Sequence, residues 1–269
     1  MLRLAQSELG IPIRPIDLDQ NPWLLNCPNG TVDLKTGELK PHCREDLLTQ
    51  LCPTNFNPDR STYHWDRFLE LVFDHRQDLL DYGHRLLGYM ITGDVREQVL
   101  PIFYGVGANG KSTLINTFMK VIGNDYTMQA PSDLLMAKRH NSHPTERADL
   151  FRKRLVTCAE TEQNRRLNEA LVKALTGGER IRARRMREDF WEFDPTHKVI
   201  LCTNHKPQVR GTDHAIWRRL RLLPFEKTFW NPDDSESGPD ELRQDKELMG
   251  RLLLESEGIL FWAVPGCLE

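Results

Sequence analysis

The chain has 269 residues, 39% of them hydrophobic and 28% charged, enough to bury one good core or one core with a small accessory domain. A formal net charge of −3 excludes a globally basic nucleic-acid coat, and six cysteines show no C-x-x-C pair. The apolar runs are short and interrupted by charge, so no signal peptide or membrane span is expected and the setting reads as reducing and cytoplasmic.

Residues 22–42 read as a hairpin. Leu24 to Cys27 is followed by Asn29-Gly30, Thr31 to Leu34, a turn at Lys35-Thr36-Gly37, and Glu38 to Lys40. Asn-Gly and Thr-Gly supply the positive-φ positions such turns need. His42, Cys43 and Cys52 lie close in sequence, but their spacing fits no common zinc pattern. Over 61–93 the pattern becomes helical: Trp65, Phe68, Leu69, Val72 and Phe73, then Leu79, Leu80, Leu86, Leu87 and Met90. Two or three helices are expected there, with the aromatics in the core and His75 and His84 solvated or capping.

From residue 97 strands and helices alternate, which predicts an α/β fold with a parallel sheet. Strands are expected at 99–104, 154–159, 198–203 and about 219–225. A helix is expected over 165–176, stopped by Gly177-Gly178. Residues 180–193 read as an inserted hairpin, 231–240 as a polar loop, and the chain from Pro239 onward as helical. Cys158 and Cys202 lie in apolar runs and read as buried thiols. Four segments follow: 1–60 with the hairpin, 61–95 helical, 96–230 the α/β core, and 231–269 a C-terminal loop and helix.

Within the core, Gly105-Val106-Gly107-Ala108-Asn109-Gly110-Lys111-Ser112 is a complete G-x-x-x-x-G-K-[ST] loop. The bare pattern arises by chance in roughly one chain in a hundred of this length, so the flanks decide. An apolar strand precedes it, and Thr113 opens a helical run. That context places backbone N–H groups and a helix start around a polyphosphate. Lys111 would reach the terminal phosphates, and Ser112 would sit on Mg²⁺.

Leu155 to Ala159 ends in Glu160, with Glu162 two positions on. A strand that delivers a carboxylate some 50 residues after such a loop suits the metal shell, and a second acid can polarise the attacking water. The strand at 198–203 ends in Asn204, an amide placed to feel the terminal phosphate. Trp217-Arg218-Arg219 sets two arginines beside an aromatic: an arginine presented across a subunit boundary, or a surface pair flanking a strand. Arg180, Arg182, Arg184, Arg185 and Arg187 fall within eight residues and mark the inserted hairpin as a nucleic-acid grip.

In order, these motifs resemble the superfamily 3 helicases, in the branch of phage, plasmid and poxvirus-type primase–helicases. The glycine loop through Thr113 carries the likeness first, then Ala159-Glu160-Thr161-Glu162. Lys173 to Ile181 with Arg184, Leu201 to Asn204 with Pro207, and Ile216 to Leu220 complete it. Residues 24–40 and 65–93 resemble the segment before that family's ATPase core. The resemblance implies an AAA+-like ATPase ring, usually a hexamer, using ATP and Mg²⁺ and acting on single-stranded or forked DNA. It implies Lys111 and Ser112 as phosphate and metal contacts, Glu160 as the metal-site acid and Glu162 as a second acid. Asn204 falls at the sensor position, and Arg218 or Arg219 at the arginine finger. Arg182, Arg184, Arg185 and Arg187 would line the DNA channel. A primase or replication-initiation protein is an expected partner, and a membrane is not. Longer relatives carry a primase domain upstream and continue into a winged-helix region, so a truncated end is expected here and priming is not assigned. The alternatives are another phosphate-loop phosphotransferase, or a DNA-binding assembly fragment without turnover.

Overall fold

The computed structural model describes residues 12–137, 144–160, 165–233 and 238–268. The expected hairpin is a three-stranded antiparallel sheet of β1 (Leu24–Cys27), β2 (Gly30–Asp33) and β3 (Glu38–Lys40). Gly30 is obligatory at its turn, because its φ is +151° and a Cβ would stand 2.5 Å from the Lys40 carbonyl oxygen.

Two helices follow, α1 (Tyr63–Val72) and α2 (Gln77–Ile91). Helix α1 buries Trp65, Phe68, Leu69 and Val72, a stripe at helical spacing. Its first-turn N–H groups are satisfied from a distance: the Glu255 carboxylate accepts from His64 N and Trp65 N, each at 3.0 Å. His84 of α2 is neither solvated nor a cap. Its Nε2 meets the Trp262 carbonyl oxygen at 2.7 Å and its ring stacks on Trp262.

The α/β class is observed. Strands β4 (Leu100–Tyr104), β5 (Thr127–Gln129), β6 (Leu155–Glu160), β9 (Lys198–Thr203) and β10 (Leu220–Pro224) form a parallel five-stranded sheet in the order β10-β4-β9-β6-β5. Alternate side chains feed two cores. Phe103, Leu155, Ile200 and Leu223 join one core with α3 (Lys111–Ile122), α1, α2, the small sheet and the helices α7 (Leu248–Leu254) and α8 (Ser256–Ala263). Ile102, Val156, Val199 and Leu201 join the other with α5 (Glu169–Thr176). The first core draws residues from all four segments expected from the sequence.

The helix expected from residue 165 starts at Glu169. Asn168 caps it, its side chain accepting from Leu171 N at 3.1 Å, and Arg166 and Leu167 instead bridge Gln208 and Met136. A short α4 (Pro144–Ala148) precedes β6, and α6 (His214–Trp217) precedes β10. The inserted hairpin is β7 (Ile181–Ala183) paired with β8 (Trp191–Phe193). Cys158 is buried as expected, and Cys202 is only half-buried. Residues 234–237 of the expected polar loop lie outside the described residues. No helix among the described residues is long and apolar enough to cross a membrane.

Candidate nucleotide-binding site

Parallel register brings Tyr104, Thr203, Glu160 and Pro224 to one edge of the sheet. Connections on opposite faces leave a crevice at such an edge. The loop 105–110 leaves β4 there. Gly105 is pinned: a Cβ would lie 2.1 Å from Asn109 Nδ2 and 2.3 Å from the Phe225 carbonyl oxygen. Gly107 and Gly110 take φ values of +121° and +84°, and Ala108, without the freedom of glycine, takes +45°. Val106 and Ala108 are exposed, Asn109 is buried and Thr113 half-buried. Asn109 is a strut within the loop: Nδ2 donates to Phe225 O at 3.2 Å and Oδ1 accepts from Lys111 Nζ at 2.9 Å.

Lys111 begins α3 and is buried. Nζ also donates to Gly105 O at 2.6 Å and to Asn204 Oδ1 at 3.3 Å. These three acceptors are neutral. Burial therefore holds the ammonium below its usual pKa, and the Cys202 thiol nearby is pushed up to about 12, chiefly by desolvation. Ser112 is exposed in the first turn of α3. Glu160 ends β6 opposite Thr203, one residue before Asn204. The structure thus brings Lys111, Ser112, Asn204 and the backbone of Glu160 to one edge, while Glu162 lies outside the described residues.

Arg218 and Arg219 separate cleanly. Arg219 is only 6% exposed, with Nε on Thr176 Oγ1 at 3.0 Å and Nη1 on the Ala215 carbonyl oxygen. Burial, and then Arg218 beside it, lower its pKa. Arg218 is exposed, its only described partner being Gln98 Oε1 at 2.5 Å. Both precede β10 at the N-terminal edge, with Leu220 opposite Leu100. Four strand steps of about 3.3 Å put them at least ~13 Å from their own loop. Trp217 is 52% exposed rather than packed in a core, and its Nε1 donates to Gly211 O at 2.9 Å.

In the hairpin, the guanidinium carbons of Arg182 and Arg184 lie 4.4 and 4.9 Å from the Phe190 ring centroid, as their shared strand face requires. Arg182 stands opposite Glu192, and Arg180 reaches Asp194 at 3.6 Å and Glu192 O at 3.3 Å. Arg185 and Arg187 are exposed near the turn.

Three elements of the site escaped the sequence reading. Glu169 Oε1 accepts from Arg210 N and Gly211 N, each at 2.9 Å, and those bonds lower its pKa. A Cβ on Gly211 would meet Glu169 Oε2 at 2.2 Å. With Lys173 on Asp213 at 2.5 Å, this fastens the loop after Asn204 to α5, which leads into the hairpin. Lys206 lies 5.1 Å from the Tyr104 ring centroid, a further cation at the same edge. A cavity of about 1040 Å³ opens beside Ala108, Gly110 and Thr113, with α1 along one wall and Phe229, Pro232 and residues between Asp240 and Arg251 along another. Only Glu169 left a signal, as an acid following a capping asparagine.

Two family models match the chain. One is described as D5 N terminal like, over residues 1–74, and one as a family of unknown function (DUF5906), over residues 103–219. A putative helicase of Acanthamoeba polyphaga mimivirus is 29% identical over 223 residues, covering 79% of this chain and 23% of its own length. A putative helicase of Invertebrate iridescent virus 6 is 26% identical over 276 residues, covering 96% and 28%. A putative primase of African swine fever virus is 26% identical over 254 residues, covering 89% and 26%. The chain spans about a quarter of the length of these curated relatives. Among solved structures, the apo form of the NrS-1 C-terminal region is similar in fold, with TM-score 0.58 and 16% identity over 81% of this chain and 50% of that one. The family segments and the viral relatives agree in making the chain similar to the phage and viral primase–helicases, and the solved structure shares its fold.

Proposed function

We propose that this chain is the ATP-driven motor segment of a DNA helicase, hydrolysing Mg·ATP between neighbouring copies in a ring, usually a hexamer in this architecture. The observation that carries the reading is the contact of Lys111 Nζ with Asn204 Oδ1 at 3.3 Å. It joins a glycine loop after one strand to an amide at the tip of the next, the two parts that hold and sense a terminal phosphate. Neutral acceptors leave the Lys111 charge available, so phosphate oxygens replace them at little cost.

The residues fit a nucleotide with its metal. At Gly107, with φ of +121°, a Cβ would meet nothing within 4 Å, so the backbone there is open to close approach by a ligand. The exposed Ser112 hydroxyl and Glu160 would hold Mg²⁺, which needs only one or two protein oxygens beside phosphate and water. Bound there, Mg²⁺ neutralises charge that develops on the phosphate oxygens. Asn204 orients the water, and Glu162 is proposed as a second acid. Arg218 supplies the guanidinium for a neighbour's site, because it is exposed and too far from its own loop. Arg182, Arg184, Arg185 and Arg187 hold DNA phosphates.

The relatives' names divide between helicase and primase. The glycine loop with its strand-tip amide favours the motor. The test is phosphate release from ATP with and without single-stranded DNA. Stimulation by DNA and its loss in Lys111→Ala are expected; equal turnover in that variant, or transfer to a small molecule instead of water, overturns the reading.

A further inference from the structure

Helix α1 lies outside the phosphate-loop motif, yet it packs directly on the loop. A Cβ on Gly110 would stand 2.6 Å from Val72 and 3.3 Å from the Phe68 ring. From that contact, the face carrying Arg67, His64 and Tyr63 runs along the cavity beside the loop. Tyr63 is 60% exposed, its ring edge-on to His64 at 5.2 Å. Arg67 is exposed and has no hydrogen-bond or ion-pair partner among the described residues. Of the other cations on the wall, Lys246 pairs with Asp233 and Arg251 with Asp245, while Arg243 lies over the Trp230 ring at 5.9 Å. Opposite α1, Phe229 N donates to Ala108 O at 2.7 Å, so the C-terminal segment is also fastened to the loop.

We propose that α1 forms the nucleoside half of the nucleotide site, with Tyr63 as the ring on which the base stacks and Arg67 on the phosphate nearest the sugar. The inference rests on the nucleotide reading above and deepens it. Phe68 marks the phosphate end, and five residues at 1.5 Å rise place Tyr63 about 7.5 Å further along the helix. That is the direction and scale in which a nucleoside extends from its phosphates. The carboxylates of Asp240 and Glu241 on the far wall accept from the ribose hydroxyls. Nucleotide recognition then belongs jointly to the segment matched by the D5 N terminal like model and to the loop in the second family segment.

The experiment measures affinity of the full chain for Mg·ATP, Mg·ADP and Mg·tripolyphosphate. Tyr63→Ala is expected to weaken ATP roughly tenfold, as loss of a stacked base does, and to leave tripolyphosphate unchanged. Tyr63→Phe keeps the ring and restores ATP binding, which a merely structural role of the hydroxyl would not allow. Arg67→Ala weakens ATP and ADP by the same factor. The α1 proposal is overturned if wild type binds tripolyphosphate as tightly as ATP, or if Tyr63→Ala keeps the full preference for ATP. A wild-type chain that binds none of the three overturns the nucleotide reading itself.

Discussion

Lys111 at one edge of the parallel sheet and Arg154 and Lys198 at the other are all buried cations, satisfied in different ways. Arg154 donates to Ile91 O and Leu24 O, each at 2.6 Å, and stacks on Tyr126. Lys198 donates to Thr92 O and lies over Tyr89. These acceptors are fixed main-chain carbonyls at the end of α2 and on β1, where a positive charge suits the helix terminus. The pair fastens the N-terminal segments to the core, and burial lowers both pKa values. Lys111 instead rests on loop atoms and two side-chain amides that a phosphate can displace. Burial alone does not mark a functional cation; the replaceability of its acceptors does.

The sharpest way to break that comparison is Lys111→Ala. ATP turnover should fall by at least ~10³, while the melting temperature falls less than in Arg154→Ala, because water at the exposed phosphate loop can take over from the lost donor. A large loss of stability with retained turnover would make Lys111 one more structural cation. Arg218→Ala and Arg219→Ala repeat the contrast on adjacent residues. Arg218→Ala should cost about 10³ in turnover without destabilising the fold, and Arg218→Lys should fail as well, because the planar fork is lost. Arg219→Ala should cost ~2 kcal/mol in urea unfolding, leaving Thr176 and the Ala215 carbonyl without a partner. Mixing Lys111→Ala chains with Arg218→Ala chains should recover part of the turnover. No recovery in rings shown to be mixed would place the finger within one chain.

Much of this was legible in the sequence, for a physical reason. The strands at 100–104, 155–160 and 198–203 are apolar runs with turn residues at their ends, and a buried parallel strand has no other signature. The loop was legible because its glycines answer local demands of φ and clearance. The choice between Arg218 and Arg219 was not, since it depends on which side of α6 faces Thr176. Tyr63 and Arg67 were not, because a helix face shows that it is polar and never what it faces. The start of α5 was misplaced because apolar Leu167 continued the stripe, while Asn168 capped the helix one residue later.

At the structural edge, Arg154→Ala should cost ~3 kcal/mol by leaving two buried carbonyls unpaired, with nucleotide affinity unchanged once folding is complete. Loss of affinity in a fully folded variant would break the division between the edges. His197 beside Lys198 gives a milder test. Both its ring nitrogens are buried without a hydrogen-bond partner among the described residues, and burial, followed by the charge of Lys198, holds its pKa at about 3. The unfolded value is near 6.5, so between these limits the unfolded chain binds one more proton. Stability therefore falls as pH falls, by ~1.4 kcal/mol per unit and about 2 kcal/mol by pH 5. His197→Leu should flatten urea stability against pH between 6 and 4; an unchanged slope assigns the acid sensitivity to other groups.

The smallest effect belongs to the hairpin, where the comparison recurs between engaged and free arginines. Five arginines suggest five phosphate contacts, but the second strand and its flank carry Glu188, Asp189, Glu192 and Asp194. Arg180 is taken by Asp194, Arg182 faces Glu192, and Arg182 and Arg184 lie over Phe190. Arg185 and Arg187 remain exposed at the turn, Arg187 with φ of +65°. Each contact to a single strand contributes about 0.7 to the log–log salt slope, so replacing both with Ala should flatten it by about 1.4. Across a fourfold change in salt that is roughly a sevenfold difference in affinity, and it should be the same for every DNA sequence. Arg180→Ala should change the slope far less, because its charge is already compensated within the hairpin. If Arg180→Ala flattens the slope as much as the pair at the turn, the ion pairs open on DNA and all five arginines grip. If neither variant alters it, DNA does not run along this hairpin.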